Sequence, residues 1–260
     1  MKYYIVDAFT ETLFKGNQAG VCLLDEWPDV NVMQNIAFEN NLAETAFIVK
    51  RDTHYDLRWF TPEQEIDLCG HATLASAFIL FNHTGFKDEV IEFQTMSGKL
   101  IVRKIDDLYE LDFPSRMPEK TEITPQMIKS IGLPVLEAHI SRDLLLLVEN
   151  EQQVQNLIPD YDVMKELKNC LGIIVTAKGT SADFVSRFFM PGTSIPEDPV
   201  TGSAHCTLIP FWSERLQKNK MAAKQLSKRG GTLYCEHCND RVKIAGKAVL
   251  YLEGNLKVIS

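Results

Sequence analysis

The chain has 260 residues, of which 45% are hydrophobic and 24% charged, the balance of an ordinary globular protein. Its net charge of −8 comes from 27 basic and 35 acidic side chains, so the chain as a whole has no electrostatic attraction to nucleic acid or anionic membrane. The N-terminal stretch lacks the apolar core of a signal peptide, and no apolar run approaches the roughly 20 residues that span a bilayer. We therefore expect a cytoplasmic protein without nucleic-acid or membrane partners.

Hydrophobic patterns in the first half of the chain predict strands interrupted by two helices. The first helix is expected to begin at Asp29 or Asn31 and to end at Asn40-Asn41, because asparagine caps helix starts and accepts left-handed exits. The second is the apolar segment 70–82. The predicted strands are 3–9, 19–24, 42–49, 56–61, 89–95, 98–104 and 108–113.

Residues 114–125 contain three prolines and alternating charges, which predicts a linker. A short helix follows, with Thr124-Pro125 at its start and Gly132 at its end. Further helices are predicted near 160–169 and 200–218, and further strands at 134–141, 143–149, 171–177, 182–189, 231–237, 240–245 and 247–253. Pro210 lies inside the last helix and lacks a backbone N–H, so we expect a kink or a break there.

Two segments about half a chain apart resemble each other. RWFTP at 58–62 is followed by CGHAT at 69–73, and RFFMP at 187–191 is followed by DPVTGSA at 198–204. Each is an aromatic strand, a proline-marked loop and a small-residue turn that opens an apolar helix, as expected of a duplicated domain.

Helices and short strands mix without a regular βαβ rhythm, which predicts an α+β fold. Together with the repeat, the linker predicts two domains. The N-terminal half comprises residues 1–115, which the C-terminal segment 254–260 could complete. The C-terminal half comprises residues 116–253.

Glu44 is the first candidate catalytic residue. Its sequence neighbours are largely apolar, and a carboxylate among apolar side chains is partly desolvated, as a general acid–base requires. The alternative is that strand alternation turns Glu44 toward solvent.

The two matching turns are candidate sites for a carboxylate. Gly70 opens one helix and Gly202-Ser203 the other, and N–H groups at a helix start can hold an anion. Tight packing is the alternative role of these glycines. His71 and Asp198 occupy comparable positions in sequence and, if the turns converge, could exchange a proton with a substrate or orient it. Taken singly, each is also an ordinary cap or turn residue.

The cysteines predict no metal site and no disulfide framework. Cys69 is a candidate thiolate because it precedes a helix, although free cysteine also serves as buried packing. Cys235 and Cys238 have C-x-x-C spacing, but no second Cys/His pair completes a zinc site. No Walker loop, strand-linked G-x-G-x-x-G or G-x-S-x-G occurs, so cofactor-free proton transfer fits these residues best.

Several long motifs are recognisable in this order: VDAFTETLFKGN, NLAETAF, LRWFTPEQEIDLCGHATLASA, SRFFMPGTSIPEDPVTGSAH, KRGGTLY and AVLYLEG. With them the chain resembles the PhzF-like family of phenazine-biosynthesis-type proteins, which has the diaminopimelate epimerase-like fold. The resemblance implies two pseudo-symmetric halves, each a curled, barrel-like mixed or antiparallel sheet around a central helix, with the active site between them. It also implies a homodimer.

The resemblance implies roles for individual residues. Glu44 matches the family's general acid–base, which moves a proton between carbons of a dihydroxyanthranilate-type substrate without metal or cofactor. His71 and Asp198 match residues that line the site. The turns that hold the substrate carboxylate are matched by Gly70, Gly202 and Ser203.

The chain also departs from the family pattern. Gln18 stands where proline is common and Ala43 where serine is usual, which leaves substrate preference open. Cys69 lies where epimerase relatives carry one catalytic thiol, but Asp198 lies near the place of the other.

We therefore expect an isomerase that moves a proton on a small carboxylate-bearing metabolite, with Glu44 as acid–base. One alternative is an amino-acid epimerase or racemase that uses Cys69 with Asp198 or Glu44. The other is a non-catalytic binding protein on the same fold.

Overall fold

The computed structural model describes residues 1–257 as an α+β protein, as predicted. The chain divides into two compact units, which we call unit 1 and unit 2. Unit 1 comprises Met1–Asp112 and the chain from Ala245 onward, and unit 2 comprises Phe113–Ile244. The chain thus returns to unit 1 at Ala245, earlier than the predicted segment 254–260, of which 258–260 lie outside the described residues.

The strands, in chain order, are β1 (Lys2–Ala8), β2 (Asn17–Leu24), β3 (Glu44–Lys50), β4 (Tyr55–Phe60), β5 (Glu65–Ile66), β6 (Val90–Thr95), β7 (Gly98–Ile105), β8 (Leu108–Pro114), β9 (Glu119–Thr121), β10 (Glu137–Ile140), β11 (Leu144–Leu147), β12 (Ile173–Lys178), β13 (Phe184–Phe189), β14 (Glu197–Asp198), β15 (Lys220–Gln225), β16 (Gly231–Cys238), β17 (Arg241–Gly246) and β18 (Ala248–Asn255). The helices are α1 (Val30–Asn40), α2 (Gly70–His83), α3 (Pro125–Ile131), α4 (Glu151–Asn156), α5 (Tyr161–Glu166) and α6 (Gly202–Leu216). None of the helices in this described part of the chain is both long and apolar enough to cross a bilayer.

The two units repeat one strand order. In unit 1, β1 pairs antiparallel with β2, β2 parallel with β3, β3 antiparallel with β4, β4 parallel with β6 and β6 antiparallel with β7. In unit 2, β10, β11, β12, β13, β15 and β16 pair in the same order and with the same directions. The repeat found in the sequence is therefore a repeat of the fold.

The strands of each unit pack against one long helix. In α2, ten of 14 residues are buried, and the helix contacts β1, β2, β3 and β7. In α6, 11 of 15 residues are buried, and the helix contacts β15 and β16. A helix that is apolar on nearly all sides is stable only inside a core, which explains why neither sequence shows a clear polar face. These are the central helices that the resemblance implied.

Helix ends agree with the caps expected from sequence. The Asp29 side chain accepts a hydrogen bond from the Asn31 N–H at the start of α1, and Asn41 ends that helix in a left-handed conformation. Thr124 caps α3 in the same way, and Gly132 ends it with φ of 65°. These interactions are local, so sequence alone predicts them.

The alternative of a break at Pro210 was wrong, because α6 runs without interruption from Gly202 to Leu216. Proline cannot donate to the carbonyl four residues earlier, which here belongs to Cys206. The backbone N–H of Arg116 donates to that carbonyl at 2.9 Å instead. A distant segment of the chain thus satisfies the acceptor that proline leaves open.

The predicted linker also contains structure. Residues 119–121 form β9, which pairs antiparallel with β10 in unit 2. Sequence reasoning also missed α4, β15 and the two-residue strands β5 and β14. The strands β5, β9 and β14 have only two or three residues, too few to show a period, so their pairing partners define them.

Candidate active site

Glu44 is the first residue of β3, in unit 1. It stands opposite Ala19 in the parallel pairing of β2 with β3. The following residues of the strand are buried, whereas the Glu44 side chain remains 18% exposed. The carboxylate therefore lies at the end of a buried strand, where it is partly desolvated and can still meet a small molecule.

The start of α2 brings Cys69 and His71 to this carboxylate. Cys69 is the residue that precedes the helix, and His71 is the second residue within it. The imidazole of His71 is only 6% exposed, and its Nε2 lies 3.0 Å from Oε2 of Glu44. The distance makes an ion pair, but the two groups are not aligned as a hydrogen bond.

The other ring nitrogen of His71 faces different neighbours. Nδ1 lies 3.5 Å from Sγ of Cys69 and 3.2 Å from Nδ2 of Asn17. When Nδ2 donates to Nδ1, the ring proton lies on Nε2, the nitrogen that faces Glu44. A doubly protonated ring needs the Asn17 amide turned so that its oxygen accepts. The imidazole thus stands between a thiol and a carboxylate.

The cluster shifts the acid–base properties of two of its members. Burial opposes charge on His71, but the neighbouring Cys69 sulphur and Glu44 carboxylate outweigh it and raise the pKa of His71 well above its ordinary value. Burial and the Glu44 carboxylate raise the pKa of the Cys69 thiol, although His71 opposes this. The Glu44 carboxylate thus favours the protonated form of both neighbours, His71 and Cys69.

Unit 2 holds Asp198 in a different setting. Asp198 lies in β14, before α6 begins, and its Oδ2 accepts a hydrogen bond of 2.6 Å from the Thr201 hydroxyl. Gln225 ties the same turn, since its Nε2 donates to the Asp198 carbonyl at 2.8 Å and to the Thr201 hydroxyl at 3.0 Å. The residue at the position of His71, second in its helix, is Ser203. Asp198 and His71 are therefore not positional equivalents, contrary to the sequence comparison.

Arg142 supports the start of α6. Its guanidinium makes an ion pair with the buried carboxylate of Asp143, with Nη2 2.6 Å from Oδ2. The same Nη2 donates to the Ser203 hydroxyl at 3.0 Å. Gly202 and Ser203 are the first two residues of α6. A cation, a hydroxyl and a helix N-terminus therefore lie together in unit 2.

The strand registers identify the position in unit 2 that corresponds to Glu44. Thr45 pairs with Phe60 in unit 1, and Ile173 pairs with Phe189 in unit 2, so Glu44 corresponds to Gly172. A Cβ atom at Gly172 would overlap the buried ring of Phe188. The packing of unit 2 thus leaves no space for a side chain at the position that holds the carboxylate in unit 1.

The predicted site residues therefore fall into two groups. Glu44, Cys69 and His71 meet in unit 1, where Gly70 is the first residue of α2. The members in unit 2 are Asp198, Gly202 and Ser203.

Sequence reasoning missed several residues that position these groups: Asn17, Arg142, Asp143 and Gln225. The adjacent charges of Arg142 and Asp143 between two apolar strands were a signal for that pair. Gln225 carried none, because it acts through contacts 24 to 27 residues away.

The C-x-x-C segment forms no metal-ligand cluster in the described part of the chain. Among residues 1–257, the group of at least three His, Cys, Asp or Glu residues that could hold a metal consists of Glu44, Cys69 and His71. All six cysteines are free thiols, and Cys235 is buried. The strand β16 therefore uses Cys235 as packing.

The model of the PhzC-PhzF family, described as phenazine biosynthesis-like protein, matches residues 6–254. The chain belongs to this family. An uncharacterized isomerase from Pseudomonas aeruginosa is 46% identical to this PhzC-PhzF member over 251 residues, covering 96% of each chain. The crystal structure of a PhzF-family phenazine biosynthesis protein from Enterococcus faecalis has 50% identity and a TM-score of 0.98, covering 99% of both chains.

A more distantly related structure has a similar fold. A predicted epimerase from Pseudomonas aeruginosa has a TM-score of 0.79 with this PhzC-PhzF protein at 18% identity, covering 99% of each chain. At this identity the likeness concerns the fold alone. The resemblance inferred from the motifs is confirmed, and with it the diaminopimelate epimerase-like fold.

Proposed function

We propose that this protein is an isomerase that moves a proton between carbons of a small carboxylate-bearing metabolite, with Glu44 as general acid–base. The observation that carries the proposal is the pairing of the partly exposed Glu44 carboxylate with the buried His71 imidazole, 3.0 Å away. A general base needs a carboxylate that the substrate can reach and a neighbouring group that can balance its charge. Relatives named as isomerases support the reaction class.

In the proposed mechanism the negative charge moves from Glu44 to the substrate, while His71 keeps its position. The Glu44 carboxylate removes a proton from a substrate carbon and becomes neutral, and negative charge develops on the substrate. The His71 imidazolium first balances the carboxylate and then faces the developing anion. Glu44 afterwards returns the proton to a different carbon. The chain's own side chains supply every proton-transfer group in this scheme.

The substrate carboxylate is proposed to bind at helix starts. Backbone N–H groups at the N-terminus of α2, where Gly70 leaves the backbone open, suit an anion near Glu44. In unit 2, the start of α6, with Gly202, Ser203 and the nearby Asp198, is proposed as a separate anion-binding position. Arg142 adds positive charge beside Ser203.

An epimerase that uses Glu44 and Cys69 as opposed bases fits the distances poorly. Two such bases must stand on opposite faces of one carbon, each at about 3 to 3.5 Å, the separation of reacting atoms. The ligand-bearing atoms of Glu44 and Cys69 lie within 4.8 Å of each other, which leaves no room for a carbon between them. Because the pKa of Cys69 is raised, its thiol is also poorly suited to act as a base at neutral pH.

A non-catalytic role also fits less well than the isomerase. A protein that has lost catalysis could hold the Glu44 carboxylate in an ion pair with an arginine. Within residues 1–257, however, Glu44 forms its ion pair with His71 and none with an arginine. The carboxylate remains partly exposed, as proton exchange requires.

The test is Glu44→Gln with a confirmed substrate. The amide keeps the shape and cannot take up a proton, so kcat should fall by about 10² to 10⁴-fold, the usual contribution of a positioned acid–base. Turnover and transfer of deuterium between substrate carbons would be measured together. Adding a carboxylate elsewhere, by Gln18→Glu in the Glu44→Gln variant, is not expected to restore turnover. A variant Glu44→Gln that keeps the wild-type rate would disprove the assignment.

A further inference from the structure

Asn17 is a buried polar residue whose side chain the proposed reaction does not use. It is the first residue of β2 and is only 1% exposed. Side chains of a strand alternate between its two faces, so Asn17 shares a face with Ala19, which stands opposite Glu44 in the pairing of β2 with β3. The helix α2, which carries His71, packs against β2. Asn17 therefore lies on the strand beside Glu44 and within reach of His71.

The residue before Asn17 fixes the start of β2. Gly16 has a φ of 66°, and a Cβ atom there would overlap the carbonyl oxygen of Ala8. Ala8 is the partner of Asn17 in the antiparallel pairing of β1 with β2. Glycine permits both the left-handed conformation and this close approach of two backbones. The Asn17 side chain therefore starts from a well-defined point of the backbone.

The Asn17 amide meets the edge of the His71 ring that is turned away from Glu44. Its Nδ2 lies 3.2 Å from Nδ1 of the ring, whereas the ring's Nε2 lies 3.0 Å from Oε2 of Glu44. An amide nitrogen donates and does not accept, so Nδ1 must offer its lone pair. A neutral imidazole carries one N–H, which then belongs to Nε2. Donation by Asn17 thus places the ring proton on the side of the carboxylate.

Cys69 is the other neighbour of Nδ1, and it is compatible with this arrangement. Its Sγ lies 3.5 Å from Nδ1 of His71. Burial and the Glu44 carboxylate raise the pKa of Cys69 and so favour the protonated thiol, which is a weak donor. The amide N–H of Asn17 is the stronger of the two donors. Both neighbours of Nδ1 therefore favour a lone pair on that nitrogen, and Asn17 does so more strongly.

We propose that Asn17 is a positioning residue, whose amide N–H donates to Nδ1 of His71 and so keeps a proton on Nε2, facing Glu44, when the imidazole is neutral. The cation carries a proton on both nitrogens, so Nε2 presents an N–H in either charge state. The value of this donor to catalysis rests on the proposed function. When Glu44 takes up the substrate proton, the N–H on Nε2 stays available to negative charge on the substrate. The hydrogen bond itself does not depend on that function.

Asn17 also acts against the charges around His71. The titratable groups that act on the ring are Glu44, from β3, and Cys69, from the turn before α2, whereas β2 contributes the neutral Asn17. Burial lowers the pKa of His71, but Cys69 and Glu44 outweigh it. A donor at Nδ1 stabilises the neutral ring, because a proton on Nδ1 would meet the amide N–H and force the amide to turn. Asn17 therefore limits how far its two neighbours raise the pKa of His71.

Nuclear magnetic resonance of the ring nitrogens tests this hydrogen bond without a substrate. The full chain would be labelled with ¹⁵N at histidine, and His71→Gln would identify the His71 signals. As pH rises, the wild type should lose the proton from Nδ1 and keep the proton on Nε2. Asn17→Leu keeps a similar size but cannot donate, so the pKa of His71 should rise by about half a unit to one unit, a three- to tenfold gain in proton affinity.

Loss of packing alone would act in the opposite direction, because a ring opened to water returns toward its ordinary pKa. Asn156→Leu, at an exposed position of α4, is the matched control and should leave the titration of His71 unchanged. Circular dichroism would establish that each variant is folded. Asn17→Asp replaces Asn17→Leu if the latter does not fold, and its carboxylate should keep a proton on Nδ1 over the pH range in which the wild type loses it.

The proposal is overturned if Asn17→Leu lowers the pKa of His71 or leaves it unchanged, or if Asn17→Asp loses the Nδ1 proton as the wild type does. It is also overturned if the neutral wild-type ring carries its proton on Nδ1, or if the ring stays doubly protonated up to about pH 10. The titration needs no substrate, so its failure is distinct from a failure of Glu44 as acid–base.

Discussion

The pair formed by Glu44 and His71 shows how one residue position acquired chemistry that its counterpart in the repeat lacks. Glu44 begins β3, and the matching position in β12 is Gly172, against which the Phe188 ring packs. His71 is matched by Ser203, whose hydroxyl accepts from Arg142. One unit therefore carries a carboxylate with an imidazole, and the other carries a hydroxyl with a guanidinium.

The pH dependence of stability tests the charge on His71. Its pKa is raised in the folded protein, so its contribution is complete below about pH 6.5, the ordinary value, and declines as pH rises toward the raised pKa. The stability advantage of wild type over His71→Gln should therefore shrink by up to about 1 kcal/mol per pH unit between about pH 6.5 and 8.5. Urea unfolding at several pH values measures it. The half-exposed His54→Gln serves as control, and an advantage that grows with pH would contradict the assignment.

Gly172 tests why unit 2 carries no side chain at the position that corresponds to Glu44. Gly172→Ala places a methyl group against the buried Phe188 ring, so unfolding free energy should fall by about 1 to 3 kcal/mol, as for other overpacked sites. Gly192→Ala is the matched control, because no described atom lies within 4 Å of its added Cβ. Denaturant unfolding of both variants gives the comparison. Equal stability of the two variants would show that Phe188 yields without cost.

At the scale of elements, the shared arginines hold a short strand onto each sheet. Arg58 binds Glu65 of β5 through two hydrogen bonds, and Arg187 binds Glu197 of β14 in the same way. Arg187 also donates to the Leu157 carbonyl at the end of α4, at 2.6 Å. These two-residue strands lead into the turns before α2 and α6, so the clamps position the helix starts.

Replacing each arginine by lysine should separate the two clamps. Lysine keeps the charge but cannot make the two-pronged contact. The Arg187 side chain is 10% exposed and the Arg58 side chain is 27% exposed. Of the two arginines, Arg187 also donates to the Leu157 carbonyl at the end of α4. Arg187→Lys should therefore cost about 1 to 3 kcal/mol, the penalty for unsatisfied buried groups, and Arg58→Lys about 1 or less. Urea unfolding measures both, and equal losses would contradict the role of the α4 contact.

At the scale of the whole molecule, the chain closes unit 1 with its last strand. β18 pairs antiparallel with β1 from Ala8 opposite Ala248 to Lys2 opposite Asn255. Side chains of β1 such as Tyr4 and Val6 are fully buried. Unit 1 is therefore incomplete until β18 has been made.

Removing β18 should disrupt unit 1. A chain that stops after Gly246 leaves β1 without one of its two strand partners, so we expect loss of cooperative unfolding and fast amide exchange in β1. A chain that stops after Asn255 keeps the whole pairing of β1 with β18, from Lys2–Asn255 to Ala8–Ala248, and is the control. Circular dichroism on heating and hydrogen exchange would be measured. Protected β1 amides in the shorter chain would refute the closing role.

Local signals allowed several features to be predicted from the sequence. The caps of α1 and α3 depend on side chains within three residues of the helix start, and the apolar runs of α2 and α6 identify buried helices. The Arg-aromatic-Phe repeat predicted two related halves. Glu44 was recognised from its neighbours and motif.

Features that depend on distant contacts could not be predicted in this way. The Arg116 N–H that bonds to the Cys206 carbonyl lies 90 residues from it, so the sequence alone left a break at Pro210 open. The short strands β5, β9 and β14 exist only because longer neighbours pair with them. The boundary at Ala245 follows from the pairing of β18 with β1.

The sequence by itself determined the family, the two related halves and Glu44 as the candidate acid–base, because motifs, caps and periodic patterns are written within short stretches of chain. Only the tertiary structure decided that Cys69 and Glu44 stand on either side of one imidazole and that Asp198 has a different position from His71. Glu44 and His71 are 27 residues apart in sequence and meet through the packing of α2 against β2 and β3. Such contacts depend on strand order and register, which the local pattern of residues does not specify.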